Sequence, residues 1–216
     1  MSERGWALVT GAPRRIGRPL AVAAARAGYD VVVHHHSADA SDAVRAIEAV
    51  GRRARAARAD LADAAACRAL AGGGELRLLV NCASLFDDDR IQSLTPDGWD
   101  AAISANLRAP VLLSQAFAAA LPADAEGLIV NVIDQRVLRP TPQFFSYAVS
   151  KAGLWAATRM MAQGLAPRIR VNAIAPGPTL PSIHQSQAAF EAEAGGVLLE
   201  HGASPEEIGE ALGYLI

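Results

Sequence analysis

A tyrosine and a lysine four positions apart, in the stretch FSYAVSKAGL (145–154), are the first residues of this sequence whose spacing indicates chemistry. On a helix, Tyr147 and Lys151 would lie side by side on one face. An ammonium close to a phenol stabilises the phenolate, and it therefore lowers the phenol pKa from about 10 toward working pH. The pair predicts a general acid for a carbonyl or an imine, with Tyr147 as the proton donor.

A second group lies at the first junction between a strand and a helix, in TGAPRRIGRP (10–19). A glycine turn that enters a helix exposes backbone N–H groups at the positive end of the helix dipole, which favours phosphate. Gly11 and Gly17 provide the tight turn and the close approach, although Arg15 stands where the usual G-x-G-x-x-G pattern has its middle glycine. The turn predicts a site for the pyrophosphate of a dinucleotide.

The end of the second strand bears on the choice between NAD and NADP. Folds that bind NAD place an acidic residue there for the ribose 2′-hydroxyl. This strand instead reads VVVHHHS, and no acid follows until Asp39. His36, Ser37 and the cation of Arg15 or Arg14 would suit a 2′-phosphate. We therefore expect NADP(H) as the cofactor, and a run of three histidines is too short to indicate a metal site.

Apolar runs rich in β-formers alternate with helix-like segments along the whole chain. The runs are continuous rather than alternating, which is typical of parallel strands covered on both faces. This order predicts an α/β fold, with one doubly wound (Rossmann) sheet, helices on both faces and a single domain over residues 1–216. The polar segment at about 178–203 predicts a mobile substrate loop. The predicted strands are 6–10, 30–35, 54–60, 76–82, 127–133 and 169–175, and the predicted helices are about 15–28, 40–50, 62–71, 97–120, 146–165 and 205–215.

Composition argues against several classes of function. The formal net charge is −2, so neither nucleic acid nor a membrane is expected as a partner. No apolar stretch reaches the roughly 20 residues that cross a bilayer, and the N-terminus lacks the apolar core of a signal peptide. Two cysteines, Cys67 and Cys82, fit a reducing compartment. We expect a cytoplasmic protein with a small-molecule substrate.

The motifs TGAPRRIG, ADL, NCAS, SANLRAP, YAVSK and VNAIAPGP together resemble those of the short-chain dehydrogenase/reductase family, in the same order and at similar spacing, from about residue 6 to residue 180. The resemblance implies that Tyr147 is the acid, that Lys151 binds the nicotinamide ribose and that Asn106 holds a proton-relay water. Asp60 would approach the adenine. The expected cofactor-binding residues are Gly11, Arg14, Arg15, Ile16, Gly17, His36, Ser37, Asp60, Leu61, Asn81, Ala83, Ser84, Lys151, Pro176 and Gly177.

Departures from the family pattern resemble one subgroup, the pteridine reductases. The position 13 residues before Tyr147, where the family has its catalytic serine, holds Asp134, and Ser84 replaces the last glycine of N-N-A-G. In that subgroup the aspartate takes part in the proton path, and an aromatic residue after this segment stacks on the pterin. Phe86 is the matching residue, although it would equally serve as an anchor in the core. A flat aminated heterocycle suits an aromatic face and an acceptor for its N–H groups.

Other departures point away from the subgroup or the family. Cys82 replaces the second asparagine of N-N-A-G, and Ser37 stands where the subgroup has an arginine. The sequence ends at Ile216, before a further strand that family members have, so we expect that C-terminal strand to be missing. The resemblance also implies a homodimer or homotetramer formed through the long helices at 97–120 and 146–165.

Three functions remain open at this point. The first is an NADPH-dependent reductase of a pterin, a folate or a similar heterocycle, with Phe86, Asp134 and Tyr147 at the substrate. The second is a general carbonyl or 3-oxoacyl reductase, against which Asp134 counts because a carboxylate repels a developing alkoxide. The third is a non-catalytic NADP-binding protein, against which the intact Tyr147, Lys151 and Asn106 count.

Overall fold

The computed structural model describes residues 4–182 and 184–216, and these contain a six-stranded parallel sheet. The strands are β1 Trp6–Val9, β2 Asp30–His35, β3 Ala54–Arg58, β4 Leu76–Asn81, β5 Gly127–Val132 and β6 Ile169–Ile174. Their order across the sheet is β3-β2-β1-β4-β5-β6. The chain thus starts at the centre and winds outward in both directions, which confirms the predicted Rossmann topology.

The helices agree with the sequence-based expectation except in two places. The predicted helix 97–120 is interrupted by a π-helical turn, Ser104–Arg108, and the predicted mobile loop 178–203 contains a helix of its own, α7. No helix in the described part of the chain is long and apolar enough to cross a membrane. The helices are α1 Gly17–Arg26, α2 Ser41–Glu48, α3 Ala64–Ala71, α4 Pro96–Ile103, α5 Ala109–Ala120, α6 Phe145–Leu165, α7 Gln187–Gly195 and α8 Pro205–Leu215.

Two apolar layers enclose the sheet, because successive residues of each strand point to opposite faces. Val31 and Val33 of β2 pack in the layer formed with α1, α2 and α8. Val32 of the same strand packs in the other layer, with α3, α5 and the end of α6. Phe117 of α5 is the largest fully buried side chain there. The continuous apolar strands predicted from the sequence are therefore buried on both faces.

Side-chain caps begin four of the described helices, α3, α4, α7 and α8. The side chain of each N-cap residue accepts a backbone N–H of the helix that follows, and Glu207 completes a capping box at α8; the caps are Asp63, Thr95, Ser186 and Ser204. Helix α1 begins differently, because Ile16 occupies its N-cap position and has no side-chain acceptor. Gly17 donates its N–H to the carbonyl oxygen of Arg14 at 3.0 Å and Pro19 has no N–H, so in this first turn the N–H of Arg18 is the one that forms no hydrogen bond within the described residues and is available to a ligand.

His34 joins the ends of three neighbouring strands. The backbone N–H of Gly11, just after β1, donates to His34 Nδ1 at 3.2 Å, and His34 Nε2 lies 3.2 Å from the carbonyl oxygen of Ala59, just after β3. Because an amide N–H can only donate, Nδ1 is the acceptor and the ring proton is on Nε2. The side chain is buried, and burial lowers its pKa to about 4. The imidazole is therefore neutral in the folded protein.

Acid should destabilise the fold through His34. The folded pKa lies below the ordinary value of 6.5, so the unfolded chain binds the extra proton between pH 6.5 and pH 4, and stability falls as pH falls through that window. We expect about 3 kcal/mol of the free energy of unfolding to be lost there through this group. Denaturant unfolding at each pH should show a flatter acid limb for His34→Asn than for the wild type. An unchanged limb in His34→Asn, or an equal flattening in the exposed His36→Asn control, would contradict this assignment.

Candidate active site

The turn between β1 and α1 is closed so tightly that it admits only glycine at two positions. Gly11 has φ +67°, and a Cβ there would lie 3.0 Å from Ala83 Cα. A Cβ on Gly17 would lie 2.2 Å from the carbonyl oxygen of Gly11. Thr10 Oγ1 accepts the N–H of Ala83 at 3.0 Å, which holds the turn against the end of β4. Together with the uncapped start of α1 at Ile16, this geometry fits the pyrophosphate of a dinucleotide.

Arg15 does not point freely into that turn. Its backbone has φ +51°, an uncommon conformation for a residue with a side chain. Its guanidinium donates to the carbonyl oxygens of Pro181 at 2.9 Å and Leu180 at 3.2 Å, and so it ties the glycine turn to the predicted substrate loop. The other residues expected at a 2′-phosphate are exposed at the same edge of the sheet: Arg14, His36 and Ser37.

Asn81 requires a correction, because its side chain does not line the cofactor groove. It is buried at the end of β4 and donates from Nδ2 to Asn131 Oδ1 at 2.8 Å. Asn131 in turn donates to Thr158 Oγ1 at 2.8 Å. These side chains connect β4, β5 and α6 inside the protein. A contact between Asn81 and the cofactor would have to come from its backbone.

Asn106 lies in the π-helical turn Ser104–Arg108, and its side-chain amide is fully occupied. Oδ1 accepts from Leu85 N at 2.8 Å and Ser84 Oγ at 3.1 Å, while Nδ2 donates to the carbonyl oxygen of Leu85 at 2.9 Å and to Ser150 Oγ at 3.0 Å. An amide has two donors and two acceptor positions, and all four are used. The side chain therefore fixes the segment after β4, and a relay water at Asn106, which stays a prediction, would have to be held by its backbone.

Two further expected groups lie beyond the carboxyl ends of other strands. Asp60 is exposed after β3, and its carboxylate accepts the backbone N–H two residues later at 2.9 Å, with Leu61 buried beside it. Pro176 is buried after β6, and its carbonyl accepts from Gln135 N at 3.1 Å. A Cβ on Gly177 would lie 3.1 Å from Gln135 Oε1. Asp60 and the Pro176–Gly177 pair thus lie at the same edge of the sheet as the glycine turn.

The centre of the site is a hydrogen bond between the two residues that sequence spacing brought together. Tyr147 donates its hydroxyl proton to Asp134 Oδ2 at 2.8 Å. Asp134 Oδ1 accepts the backbone N–H of Arg136 at 2.8 Å. Burial raises the pKa of Tyr147 well above 10, and the charge of Asp134 and its hydrogen bond raise it further, while the charge of Arg136 opposes them. Tyr147 is therefore protonated at working pH.

Lys151 is buried one helical turn beyond Tyr147, and its Nζ donates to the carbonyl oxygen of Val132 at 2.7 Å. Burial lowers its pKa to about 8, although the Cys82 thiol and the Asp134 carboxylate favour its charged form. The sequence led us to expect a lowered pKa for Tyr147, whereas its net pKa is raised, because burial and Asp134 dominate at the phenol. Burial also raises the pKa of Cys82 to about 11, so its thiol stays protonated.

Aromatic rings pack beside the ring of Tyr147. Phe86 stacks on Phe144, with ring centroids 4.3 Å apart, and meets the ring of Tyr147 edge to face at 4.6 Å. Arg136 lies over Phe144, with its Cζ 5.3 Å from the ring centroid. Phe144 has φ +54°, which is unusual for a bulky residue. Phe86 is thus next to the expected acid, as the sequence predicts, with one ring face taken by Phe144.

Helix α7 reaches this centre through an ion pair that sequence reasoning did not find. Arg136 Nη2 lies 2.8 Å from Glu193 Oε1, and Arg136 Nη1 lies 3.8 Å from Asp134 Oδ2. Gln185 Nε2 also donates to Glu193 Oε2 at 2.9 Å. The sequence does show an arginine two residues after Asp134, which could have indicated an ion pair. Nothing in the sequence indicates that the other partner of this arginine is Glu193, 57 residues later.

Replacing Gly17 with alanine should disrupt the glycine turn. The added Cβ meets backbone atoms of Gly11 that cannot move aside, so we expect a loss of about 1–3 kcal/mol in the free energy of unfolding together with a loss of NADPH affinity. Gly213→Ala is the matched control, because a Cβ there meets nothing within 4 Å and alanine favours the helix. Chemical denaturation and NADPH titration measure both effects. Equal behaviour of the two variants would contradict the steric explanation.

Comparison with known proteins agrees with this geometry. A family model described as short chain dehydrogenase matches residues 5–192. The crystal structure of FolM alternative dihydrofolate reductase 1 from Brucella suis, in complex with NADP, is similar with a TM-score of 0.93 and 42% identity, covering 99% of this chain and 89% of that chain.

Two curated relatives carry other activities in their names. L-xylulose reductase of Bos taurus is 38% identical over 186 residues, 85% of this chain and 75% of the relative. A probable galactose dehydrogenase of Rhizobium meliloti is 38% identical over 115 residues, 53% of this chain and 45% of the relative. The family match spans the glycine turn, the Asp134–Tyr147 pair and Lys151 alike, and we conclude that the chain belongs to the short-chain dehydrogenase/reductase family and is an NADP-dependent oxidoreductase.

Proposed function

We propose that this enzyme reduces a dihydropterin, a dihydrofolate or a similar flat heterocycle with NADPH. The observation that carries the proposal is the 2.8 Å hydrogen bond from Tyr147 to Asp134. A carboxylate in this place accepts hydrogen bonds and donates none when ionised. It therefore favours a substrate that presents N–H donors, as an aminated heterocycle does.

A ketone meets the same pair less favourably. Its oxygen is only an acceptor, so it would have to take the Tyr147 proton away from Asp134 and then develop negative charge beside a carboxylate. In a site of low dielectric such repulsion is strong. Asp134 is partly neutralised by Arg136, whose Nη1 lies 3.8 Å away, but the phenol proton still rests on the Asp134 side. This is the physical reason to rank heterocycle reduction above carbonyl reduction.

The aromatic residues support a flat substrate. Phe86 is partly exposed beside Tyr147, and its stacking on Phe144 at 4.3 Å fixes the plane of its ring. A ring held in place loses little conformational entropy when a second ring stacks on it, and offset or edge-to-face contacts between rings contribute about 0.5–1.5 kcal/mol beyond burial. We assign Phe86 to the substrate pocket, with Phe144 as its support.

The residues of the site divide the proton and binding steps between them. When bound, the cofactor supplies a hydride to the substrate carbon. Reduction of a C=N bond also needs a proton at nitrogen, and Tyr147 with Asp134 forms the path that delivers it from solvent. Lys151, held by the Val132 carbonyl, carries positive charge below about pH 8, and we assign it to the cofactor ribose. The uncapped start of α1 would hold the pyrophosphate.

The comparisons also favour a heterocycle over a ketone as the substrate, but they do not identify the substrate. The similarity to the Brucella suis protein, named as an alternative dihydrofolate reductase, extends over nearly the whole chain. The alternative is a general carbonyl or 3-oxoacyl reductase, favoured by the similarity to L-xylulose reductase. We also propose that the enzyme is located in the cytoplasm, as expected from the sequence.

A face between α5 and α6 is suited to a second copy of the chain. It contains a groove of about 380 Å³ lined by Val111, Ala118 and Leu165, with Met160 72% exposed at its side. We expect a homodimer or homotetramer built on this face, as the family resemblance implies. Met160→Glu should lower the mass measured by analytical ultracentrifugation, whereas Val50→Glu on the other face of the sheet should not. A monomeric wild type would contradict the expectation.

The proposal is tested by following NADPH oxidation with dihydrobiopterin, dihydromonapterin and dihydrofolate, beside a panel of ketones, sugars and 3-oxoacyl thioesters. We expect turnover of at least one heterocycle with NADPH, little with NADH, and none in Tyr147→Phe. Turnover confined to ketones or thioesters would favour the alternative. NADPH binding without turnover of any compound would favour a non-catalytic protein.

A further inference from the structure

The arginines of segment 52–58 are not equivalent, although they look so in the sequence. Most of them are neutralised near the amino end of the sheet, by Asp30 at the start of β2 or by Glu75 before β4. The paired residues are Arg52, Arg53 and Arg55. Arg58, the last residue of β3, has no ion pair among the residues that the structure describes. It is the one cation of this segment left without a carboxylate in that part of the chain.

Arg58 is held at the opposite edge, where the cofactor groove begins. The register of the sheet pairs it with His35, the last residue of β2. Its Nε donates to the carbonyl oxygen of His36 at 3.1 Å. The hydrogen bond anchors the guanidinium beside the residues that follow β2, and Nη1 and Nη2 form no hydrogen bond within the described chain. Two donors in a planar fork are therefore available to a ligand at this position.

The carboxylates nearest to this position in the sequence are hydrogen-bonded to backbone N–H groups and form no ion pair with Arg58 among the described residues. Asp60, two residues after Arg58, accepts the backbone N–H of Ala62 at 2.9 Å. The acid nearest in sequence after β2 is Asp39, and its Oδ1 accepts the N–H and the hydroxyl of Ser41 at 3.0 and 2.7 Å. Asp39 therefore stabilises the turn that leads into α2. Arg15, the cation that the sequence offered first, is bonded to the loop carbonyls at 180–181 instead. Ser37, where the related subgroup has an arginine, supplies only a hydroxyl.

We propose that Arg58 reads the 2′-phosphate of NADP from the neighbouring strand and so determines the preference of this enzyme for NADP over NAD. The end of β2 is where this fold meets the adenosine ribose. A guanidinium matches a phosphate with two parallel N–H···O bonds, which a lone hydroxyl or imidazole does not. The cation missing at position 37 is supplied across the β2–β3 register. This inference concerns cofactor choice and does not depend on the substrate.

Binding measurements without substrate test it. The dissociation constants of NADPH and NADH are measured by calorimetry for the wild type, Arg58→Gln and Arg58→Lys, with adenosine 2′,5′-bisphosphate and 5′-AMP as competitors. We expect Arg58→Gln to weaken NADPH and the bisphosphate roughly tenfold or more and to leave NADH and 5′-AMP within about twofold. Arg58→Lys should recover part of the loss, because it restores charge without the fork.

Two variants serve as controls. Arg26→Gln removes the same charge at the end of α1, on the far edge of the sheet, and should leave both dinucleotides unchanged. Arg14→Gln tests the exposed arginine of the glycine turn and should have a smaller effect on selectivity than Arg58→Gln. An Arg58→Gln protein with unchanged NADPH affinity, or one that loses NADPH and NADH equally, would overturn the proposal. So would a selective loss that appears only in Arg14→Gln.

Discussion

The chemistry that we propose for this site depends on a proton held between Tyr147 and Asp134. The two residues come from different elements, the segment after β5 and helix α6, and meet at 2.8 Å in a buried place. Burial and the neighbouring carboxylate both favour the neutral phenol, so the pair keeps its proton until a substrate offers a better arrangement. Arg136 moderates the carboxylate and links it to Glu193 on α7. The segment predicted to be the substrate loop, which contains α7, is thereby joined by charge to the Asp134–Tyr147 pair.

At the predicted cofactor site, the shape of the backbone rather than charge determines most of the geometry. Gly11 and Gly17 leave no room for a side chain, and the neutral imidazole of His34 accepts the N–H of Gly11 and holds the turn in place. At the rim of this end, Arg58 adds a positive charge, held by its hydrogen bond to the His36 carbonyl. Sterics would thus position the dinucleotide, one cation would select its phosphate, and one carboxylate would select the substrate.

The regular elements could be predicted from the sequence because apolar strands and alanine-rich helices carry their own periodicity. Tyr147 and Asp134 could be placed because motif order in a family fixes their spacing. Contacts between distant segments could not be foreseen. The bond from Asn81 to Asn131 and the ion pair from Arg136 to Glu193 join residues 50 and 57 positions apart. Local sequence rules also could not give the direction of the pKa shift of Tyr147, because burial determines it.

Replacing Asp134 tests the central claim most directly. The measurement is kcat/KM for a dihydropterin and for a ketone, in the wild type, in Asp134→Ser, which restores the family's usual residue, and in Asp134→Asn, which keeps the shape without the charge. If the carboxylate selects the substrate, Asp134→Ser lowers the heterocycle value by about a hundredfold or more and holds or raises the ketone value. If ketone turnover rises while heterocycle turnover is untouched, Asp134 is not the residue that determines the substrate.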